Sequence, residues 1–168
     1  MDSLSASFPS FGKCLTKTQE PRFGIVDGAS GEKASLIFTQ GNDWDFEVNN
    51  DKGLILSFLA IDDCLFSSLD QERCDCAVFS KKIILFIELK DVKKKQRSRA
   101  RRKAIKQLEN TISTFQSSLP ELEVFAVIGF KSAKKNPIAN TNRQAAIAHF
   151  TDLYNAKLQE GNSFEFAH

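Results

Sequence analysis

The sequence predicts an α/β protein in which a central mixed β-sheet is flanked by helices. Several short apolar runs bounded by turn residues are typical of buried strands, and two longer segments have the spacing of amphipathic helices. Five strand-like runs are followed by a helix, a strand and a second helix, an order that suits a sheet with helices on its faces. The chain has 168 residues, 42% of them hydrophobic and fifteen of them Phe, which is enough for one packed core.

The N-terminal part of the chain differs in composition from the rest. Residues 1–33 are rich in Ser, Gly, Thr and Pro, which predicts an N-terminal arm of loops, and residues 34–168 are predicted to form a single domain. Within that domain the first strands are predicted at 34–38, 43–48 and 53–61. The last two are separated by an Asn-Asn-Asp-Lys-Gly segment, which is typical of a turn.

The second half of the chain contains a predicted hairpin and two predicted helices. Apolar runs at 74–79 and 82–90 flank a short Ser-Lys segment and predict the hairpin. Residues 99–118 predict a long helix, because apolar side chains recur there at three- and four-residue spacing and Pro120 follows its end. The remaining predicted elements are a strand at 122–130, a helix at 143–159 and a short strand at 164–166.

The hairpin carries charges where a buried strand should end in a neutral residue. Glu88 and Lys90 close the apolar run 83–87, and their spacing of two residues puts both side chains on one face. Asp75 lies on the other run, so the hairpin can bring it close to Glu88. Because isolated charges are costly to bury, this group predicts a partner, a metal or a substrate. Two carboxylates beside a lysine favour a hard cation such as Mg²⁺.

These residues resemble the motif of the PD-(D/E)XK nuclease superfamily, which has the restriction-endonuclease-like fold. The family carries an Asp on one strand, a Glu-x-Lys on the next strand and, in some branches, a Gln on the helix that follows. Asp75, Glu88, Lys90 and Gln107 match these positions, and the resemblance covers about residues 55–130.

The resemblance implies a metal-dependent nuclease that hydrolyses phosphodiester bonds, with DNA as the expected substrate. Asp75 and Glu88 would hold Mg²⁺ or Mn²⁺, and Asp62 would assist them as a further metal ligand. Lys90 would position the attacking water and stabilise the transition state, and Gln107 would order that water or Lys90. The family also carries an acid upstream of the motif. The candidates for it are Asp62, Asp63, Glu47 and Glu20.

A basic segment follows the predicted site. Eight of the 23 Lys and Arg residues lie between positions 93 and 103, and all 21 Asp and Glu residues lie elsewhere. Positive charge concentrated beside a metal site would attract a phosphate backbone and give salt-sensitive binding with little sequence preference. The candidate nucleic-acid-binding residues are Lys93, Lys94, Lys95, Arg97, Arg99, Arg101, Arg102 and Lys103.

Two other functions remain open at this point. The protein can be a catalytically inactive member of the same fold that binds nucleic acid or a partner protein in a defence or repair complex. It can also be a small α/β interaction protein in which the charged strand end is only an ion pair. A homodimer is compatible with both the active nuclease and the inactive protein of the same fold.

The four cysteines are interpreted together with the expected location. The N-terminus has no apolar core typical of a secretory signal, and no stretch approaches the roughly 18 apolar residues of a membrane span. A soluble, cytoplasmic protein without a membrane partner is therefore expected, with reduced, buried and metal-free thiols. A zinc site formed by Cys64, Cys74 and Cys76 is the alternative for three of the cysteines, and Cys14 is the fourth.

Overall fold

The protein has a mixed α/β architecture in the computed structural model, which describes residues 8, 10–28, 32–38, 44–67, 71–119, 121–131 and 141–167, without the side chains of residues 141 and 142. The strands in these ranges are β1 Leu15–Thr18, β2 Arg22–Val26, β3 Ser35–Ile37, β4 Phe46–Asn49, β5 Leu56–Ala60, β6 Cys76–Phe79, β7 Ile83–Lys90, β8 Glu123–Phe130, β9 Ala156–Glu160 and β10 Ser163–Glu165. The helices are α1 Phe11–Cys14, α2 Arg97–Phe115 and α3 Thr141–Tyr154, with 3₁₀ turns at Lys94–Gln96 and Gln116–Ser118. No helix among the described residues is long and apolar enough to cross a membrane.

The larger sheet is mixed, as the sequence predicts. It has six strands in the order β1-β5-β6-β7-β8-β9. Strands β5, β6 and β7 form an antiparallel meander, which needs only short turns between its members. Strands β7 and β8 are parallel, and helix α2 supplies the long crossover that a parallel connection requires.

A second, four-stranded sheet packs against one face of the larger one. Its order is β10-β4-β2-β3. The buried residues divide into two apolar clusters: one lies between the two sheets, and the other lies between the larger sheet and the helices. The larger sheet is therefore the middle layer of three, with apolar side chains on both of its faces.

Alternation along β7 determines which layer each of its side chains enters. Leu85, Ile87 and Leu89 belong to the cluster between the sheets, whereas Ile84 and Phe86 belong to the cluster beneath the helices. Since strand side chains alternate between faces, Glu88 and Lys90 share the helix-facing side with Phe86. Both charged side chains of β7 therefore lie on the side of the sheet that faces α2.

Two parts of the chain differ from the predicted elements. The described part of residues 1–33, predicted as loops, contains α1, β1 and β2, and these strands pair within both sheets. The helix predicted at 143–159 ends at Tyr154, because Asn155 adopts the left-handed conformation with φ 49°. Strand β9 follows directly, with Ala156 and Leu158 buried between exposed neighbours.

The cysteines differ from the prediction of four reduced thiols. Cys14 and Cys64 form a disulfide across a Cα–Cα distance of 5.8 Å. The pairing of β1 with β5 brings Cys14 beside the turn that follows β5, where Cys64 lies. Cys74 and Cys76 are free and buried, as predicted.

Candidate active site

The β6–β7 hairpin brings Asp75 next to Glu88. The last register pair is Cys76 with Ile87, and Asp75 and Glu88 are the next residues beyond that pair. Continuation of the antiparallel pairing by one step would put their Cβ atoms about 4.5–5.5 Å apart. Asp75 Oδ2 also accepts a hydrogen bond from the Leu89 N–H at 2.5 Å, which fixes the carboxylate at the end of β7.

Glu88 and Lys90 form a buried ion pair. Lys90 Nζ donates to Glu88 Oε1, and the two side chains are 18% and 0% exposed. Glu88 Oε2 is buried and has no hydrogen-bond partner among the described residues. Burial raises the pKa of Glu88 well above its usual value, and the neighbouring Asp75 adds to this, whereas Lys90 opposes it. Glu88 therefore has one oxygen without a partner among the described residues, in surroundings that disfavour its negative charge.

Lys90 remains a cation in this environment. Burial lowers the pKa of Lys90, but the charge and hydrogen bond of Glu88 and the charge of Asp75 outweigh burial, so the net shift is upward. The ammonium can therefore hold a water or stabilise negative charge, whereas removal of its proton is unfavourable.

Gln107 lies on the buried face of α2 and lines the same cleft as Asp75 and Lys90. Its Nε2 donates to the Arg73 carbonyl at 3.0 Å. Its Oε1 is buried and has no hydrogen-bond partner among the described residues. The Gln107 side chain therefore binds the backbone just before Asp75 through Nε2, and its Oε1 is left as an acceptor without a partner among the described residues.

A cleft of about 280 Å³ opens beside these residues. Five acids line it together with two lysines, a glutamine and two small residues. The lining residues are Asp27, Gly28, Glu32, Ala34, Asp62, Asp63, Asp75, Lys90, Lys103 and Gln107. Asp62 and Asp63 are the two upstream candidates that reach the cleft, whereas Glu47 pairs with Arg22 at 2.8 Å and neither Glu47 nor Glu20 lines it. Glu88 is fully buried and does not line the cleft itself.

Asp27 is a cleft residue that sequence reasoning missed. It directly follows β2, and its N–H donates to Asp45 Oδ2 at 2.9 Å. Burial raises the pKa of Asp27, Lys90 opposes this, and the charges of Asp45 and Asp62 raise it further. The available signal was an acid at the end of a short apolar run, the same pattern that identified Glu88.

The clustered acids raise one another's pKa values. Burial raises the pKa of Asp75 to about 7, the Leu89 hydrogen bond opposes this, and Asp27 is the neighbouring charge that raises it most. The pKa of Asp62 is also raised, first by burial and then by Asp63. Mutual repulsion of this kind is relieved by a cation between the carboxylates.

Asp27→Asn is expected to lower the pKa of Asp75 from about 7 toward its ordinary value, because the substitution removes the neighbouring charge that raises it most. A pH titration of the Asp75 carboxyl carbon by NMR measures this. Asp63→Asn is the matched control, since Asp63 also lines the cleft and Asn tolerates its φ of 54°. An unchanged Asp75 titration in Asp27→Asn would contradict the described electrostatics.

Asp75 and Glu88 are the residues of this site that could hold a hard divalent ion. Asp75 and Glu88 offer carboxylate oxygens, and Mg²⁺ commonly binds one or two carboxylates and keeps several waters. Across the described ranges, no three or more His, Cys, Asp and Glu side chains are grouped so that they could hold a metal ion. Asp62 therefore lies outside a common ligand group with that pair in this conformation. The zinc alternative also has no such group, and its Cys64 is in the disulfide.

The basic segment forms the 3₁₀ turn before α2 and the first turns of α2. Arg101 binds Glu160 through two contacts, one of them Nη2 to Oε2 at 3.0 Å. Lys103 Nζ lies 3.0 Å from Glu72 Oε1, and the Arg97 guanidinium lies over the Phe130 ring at 5.5 Å. The other predicted nucleic-acid-binding residues are exposed. They are Lys93, Lys94, Lys95, Arg99 and Arg102.

Comparisons with known proteins identified no relative of this chain. No family model matches the chain, no curated protein matches it, and no solved structure matches it.

Proposed function

We propose that this protein is a metal-dependent nuclease of the PD-(D/E)XK superfamily that hydrolyses phosphodiester bonds in DNA. The observation that carries the proposal is the fully buried Glu88, paired with Lys90 and set opposite Asp75 beside an acid-lined cleft. Lys90 binds one oxygen of this carboxylate, but the other, Oε2, is buried without a hydrogen-bond partner among the described residues, which is costly. A bound divalent cation removes that cost and explains why the acids are gathered there.

The strand arrangement supports the same proposal. Asp75 lies immediately before the first of two consecutive antiparallel strands, and the other motif residues lie on the second strand and on the helix that follows it. Asp75 precedes β6, Glu88 and Lys90 end β7, and Gln107 lies on α2, which leads to β8 parallel to β7. This agrees with the strand, strand and helix pattern of the restriction-endonuclease-like fold, which we include in the proposal.

Charge in the cleft determines the order of binding. Five acids and two lysines line it, so it repels a phosphate group until cations reduce its negative charge. Mg²⁺ or Mn²⁺ held by Asp75 and Glu88 would lower the pKa of a bound water and stabilise charge on the phosphate. Metal binding is therefore expected to precede productive DNA binding.

The remaining roles belong to the chain's own residues. Lys90, kept protonated by Glu88, holds the attacking water and stabilises the negative charge that develops on the phosphate. Gln107 Oε1, which has no hydrogen-bond partner among the described residues, would accept a hydrogen bond from that water. The Leu89 N–H holds the Asp75 carboxylate in place, and this carboxylate would be one of the two that hold the cation.

Incubation of plasmid and linear DNA with Mg²⁺, Mn²⁺ or EDTA tests the proposal. Cleavage is expected with either ion and is expected to stop in EDTA. If both substrates stay intact over a range of Mn²⁺ concentrations and pH values, the nuclease proposal is wrong.

The second candidate is a catalytically inactive protein of the same fold that binds nucleic acid. The lack of a group of three metal-ligating side chains among the described residues favours it. Salt-dependent DNA binding without measurable Mn²⁺ binding would support this candidate over the first.

Replacing Lys93, Lys94 and Lys95 together with Ala is expected to weaken DNA binding and its salt dependence. These exposed cations follow β7 closely, and each phosphate contact contributes about 0.9 to the slope of log K against log salt concentration. We expect the slope to fall in magnitude by up to about 3. Fluorescence anisotropy over a salt series measures it.

The matched control for that triple variant replaces three exposed lysines at the other end of the sheet. These are Lys52, Lys81 and Lys82. Equal slopes for the two triple variants would contradict binding along the basic segment.

A further inference from the structure

The backbone just before Asp75 is fastened to α2 by side chains of the helix. Three consecutive residues, 72–74, each contribute one backbone group to this contact. The bonds are Asn110 Nδ2 to the Glu72 carbonyl at 3.0 Å, Gln107 Nε2 to the Arg73 carbonyl at 3.0 Å, and the Cys74 N–H to Thr111 Oγ1 at 2.8 Å. Residues 72–74 belong to no strand of either sheet. Their bonds to α2 therefore determine the path of the backbone in this segment.

Thr111 is the most constrained of the three helix residues. Its side chain is fully buried, and its hydroxyl donates to the Gln107 carbonyl at 2.8 Å while accepting the Cys74 N–H. A hydroxyl that donates and accepts at once has a fixed orientation. Cys74 is fully buried as well, so loss of the hydroxyl would leave its N–H without a partner.

The helix bonds complete the support around Asp75. On one side, the Asp75 carbonyl accepts the Ile61 N–H at 2.9 Å, and β6 begins at Cys76. On the other side, Cys74 is held by Thr111. The backbone of Asp75 is thereby fixed in both chain directions, which sets the direction of its carboxylate toward the Leu89 N–H.

We propose that Thr111 is a positioning residue, whose hydroxyl fixes segment 72–74 on α2 and so holds the Asp75 carboxylate against Leu89 and beside Glu88. Its consequence for cleavage rests on the proposed function, whereas the positioning itself is a property of the protein without metal or DNA. The Thr111 hydroxyl binds the Cys74 N–H and the Gln107 carbonyl, and it is not assigned a contact with the cation or the substrate.

The test compares three variants of the full chain. Thr111→Val keeps the shape of the side chain and removes the hydroxyl, and Thr111→Ser restores the hydroxyl. Thr114→Val is the matched control, because Thr114 makes the same type of helical bond, from its Oγ1 to the Asn110 carbonyl at 2.8 Å. The first readout is hydrogen exchange at the Cys74 and Leu89 amides, and the second is Mn²⁺ affinity by calorimetry.

Thr111→Val is expected to speed exchange at both amides and to weaken Mn²⁺ binding by about tenfold, the lower range seen when a group supporting a metal ligand is removed. Thr111→Ser and Thr114→Val are expected to resemble the wild type in both readouts. Faster exchange at Leu89 is the decisive sign, since its N–H is bonded to Asp75 rather than to Thr111. If exchange at Leu89 is unchanged in a folded Thr111→Val protein, the positioning role is wrong.

Two further outcomes separate this inference from the proposed function. If the wild type neither binds Mn²⁺ nor cleaves DNA, but Thr111→Val speeds exchange at Leu89, the nuclease proposal fails and the positioning role stands. If the wild type cleaves DNA and Thr111→Val has the same kcat and the same exchange at Leu89, the nuclease proposal stands and the positioning role fails. Should Thr111→Val not fold, Asn110→Ala is expected to speed exchange at the same two amides, and unchanged rates would overturn the inference.

Discussion

Lys90→Met is expected to reduce metal-dependent DNA cleavage by at least about 100-fold, the scale of effect when a single preorganised group that stabilises transition-state charge is removed. The ammonium is the charged donor that Glu88 holds at the cleft, and Met keeps most of the side chain's length and packing. Initial cleavage rates at saturating Mn²⁺ measure the effect. DNA binding is expected to persist, because the exposed cations at 93–95 are unchanged.

The same substitution is expected to destabilise the protein at neutral pH. It leaves the buried Glu88 without its cationic partner, and breaking a buried pair typically costs about 3–5 kcal/mol. Lys157→Met is the matched control. Lys157 lies on the edge strand β9 and forms an exposed ion pair with Glu123 of β8, and breaking this pair is expected to cost less than about 1 kcal/mol. Wild-type cleavage rates in a folded Lys90→Met protein would contradict the assigned chemistry.

Without metal, the protein is expected to lose stability as the pH rises from about 4 to about 7. The pKa of Asp75 is raised from 3.8 to about 7 in the folded protein, so folding favours its protonated form. Its contribution is fully present below the unfolded pKa and is lost as the pH rises through the folded one. For a shift of this size, linkage gives up to about 4 kcal/mol. Glu88, Asp27 and Asp62 contribute with the same sign, because their pKa values are raised as well.

Urea unfolding in EDTA at several pH values from 5 to 8 measures this dependence. Asp75→Asn is expected to flatten it, and Mn²⁺ is expected to restore stability near pH 8, where the carboxylates are ionised. A free energy of unfolding that rises from pH 5 to pH 8 would contradict the described burial of the acids. An unchanged pH dependence in Asp75→Asn would do the same.

The local part of the site was accessible from the sequence. Glu88 and Lys90 follow an apolar run, and their spacing of two residues sets them on one face of a strand without reference to the rest of the fold. The turn between the two runs then brings Asp75 opposite Glu88. Gln107 was accessible in the same way, because it falls on the buried face of a helix whose periodicity is clear.

The position of Asp27 in the cleft could not be predicted, because it depends on contacts between segments that are distant in the sequence. The Phe, Ile and Val residues of β2 are too few to distinguish a strand from an apolar loop, so the preceding composition favoured an arm. Pairing with β3 and β4 makes this segment a strand, and the packing of the two sheets brings its end to the cleft. The disulfide depends on distance in the same way, since Cys14 and Cys64 lie 50 residues apart in the chain.

The end of α3 could not be predicted for a different reason, because the residues that follow it suit both a helix and a strand. Residues 156–160 include Ala, Lys, Leu, Gln and Glu, all of which are good helix formers. They also alternate apolar with polar side chains, a pattern that suits an edge strand. Pairing with β8 decides in favour of the strand, and Glu160 at its end then binds Arg101 of the basic segment.

A crystal soaked with Mn²⁺ at about pH 8 shows whether Asp75 and Glu88 hold a cation together, because anomalous scattering locates the ion without reference to activity. We expect one strong peak between Asp75 and Glu88, about 2.1 Å from an oxygen of each carboxylate. If a saturating soak leaves this position without a peak and Glu88 bound to Lys90 alone, the proposed metal site is wrong.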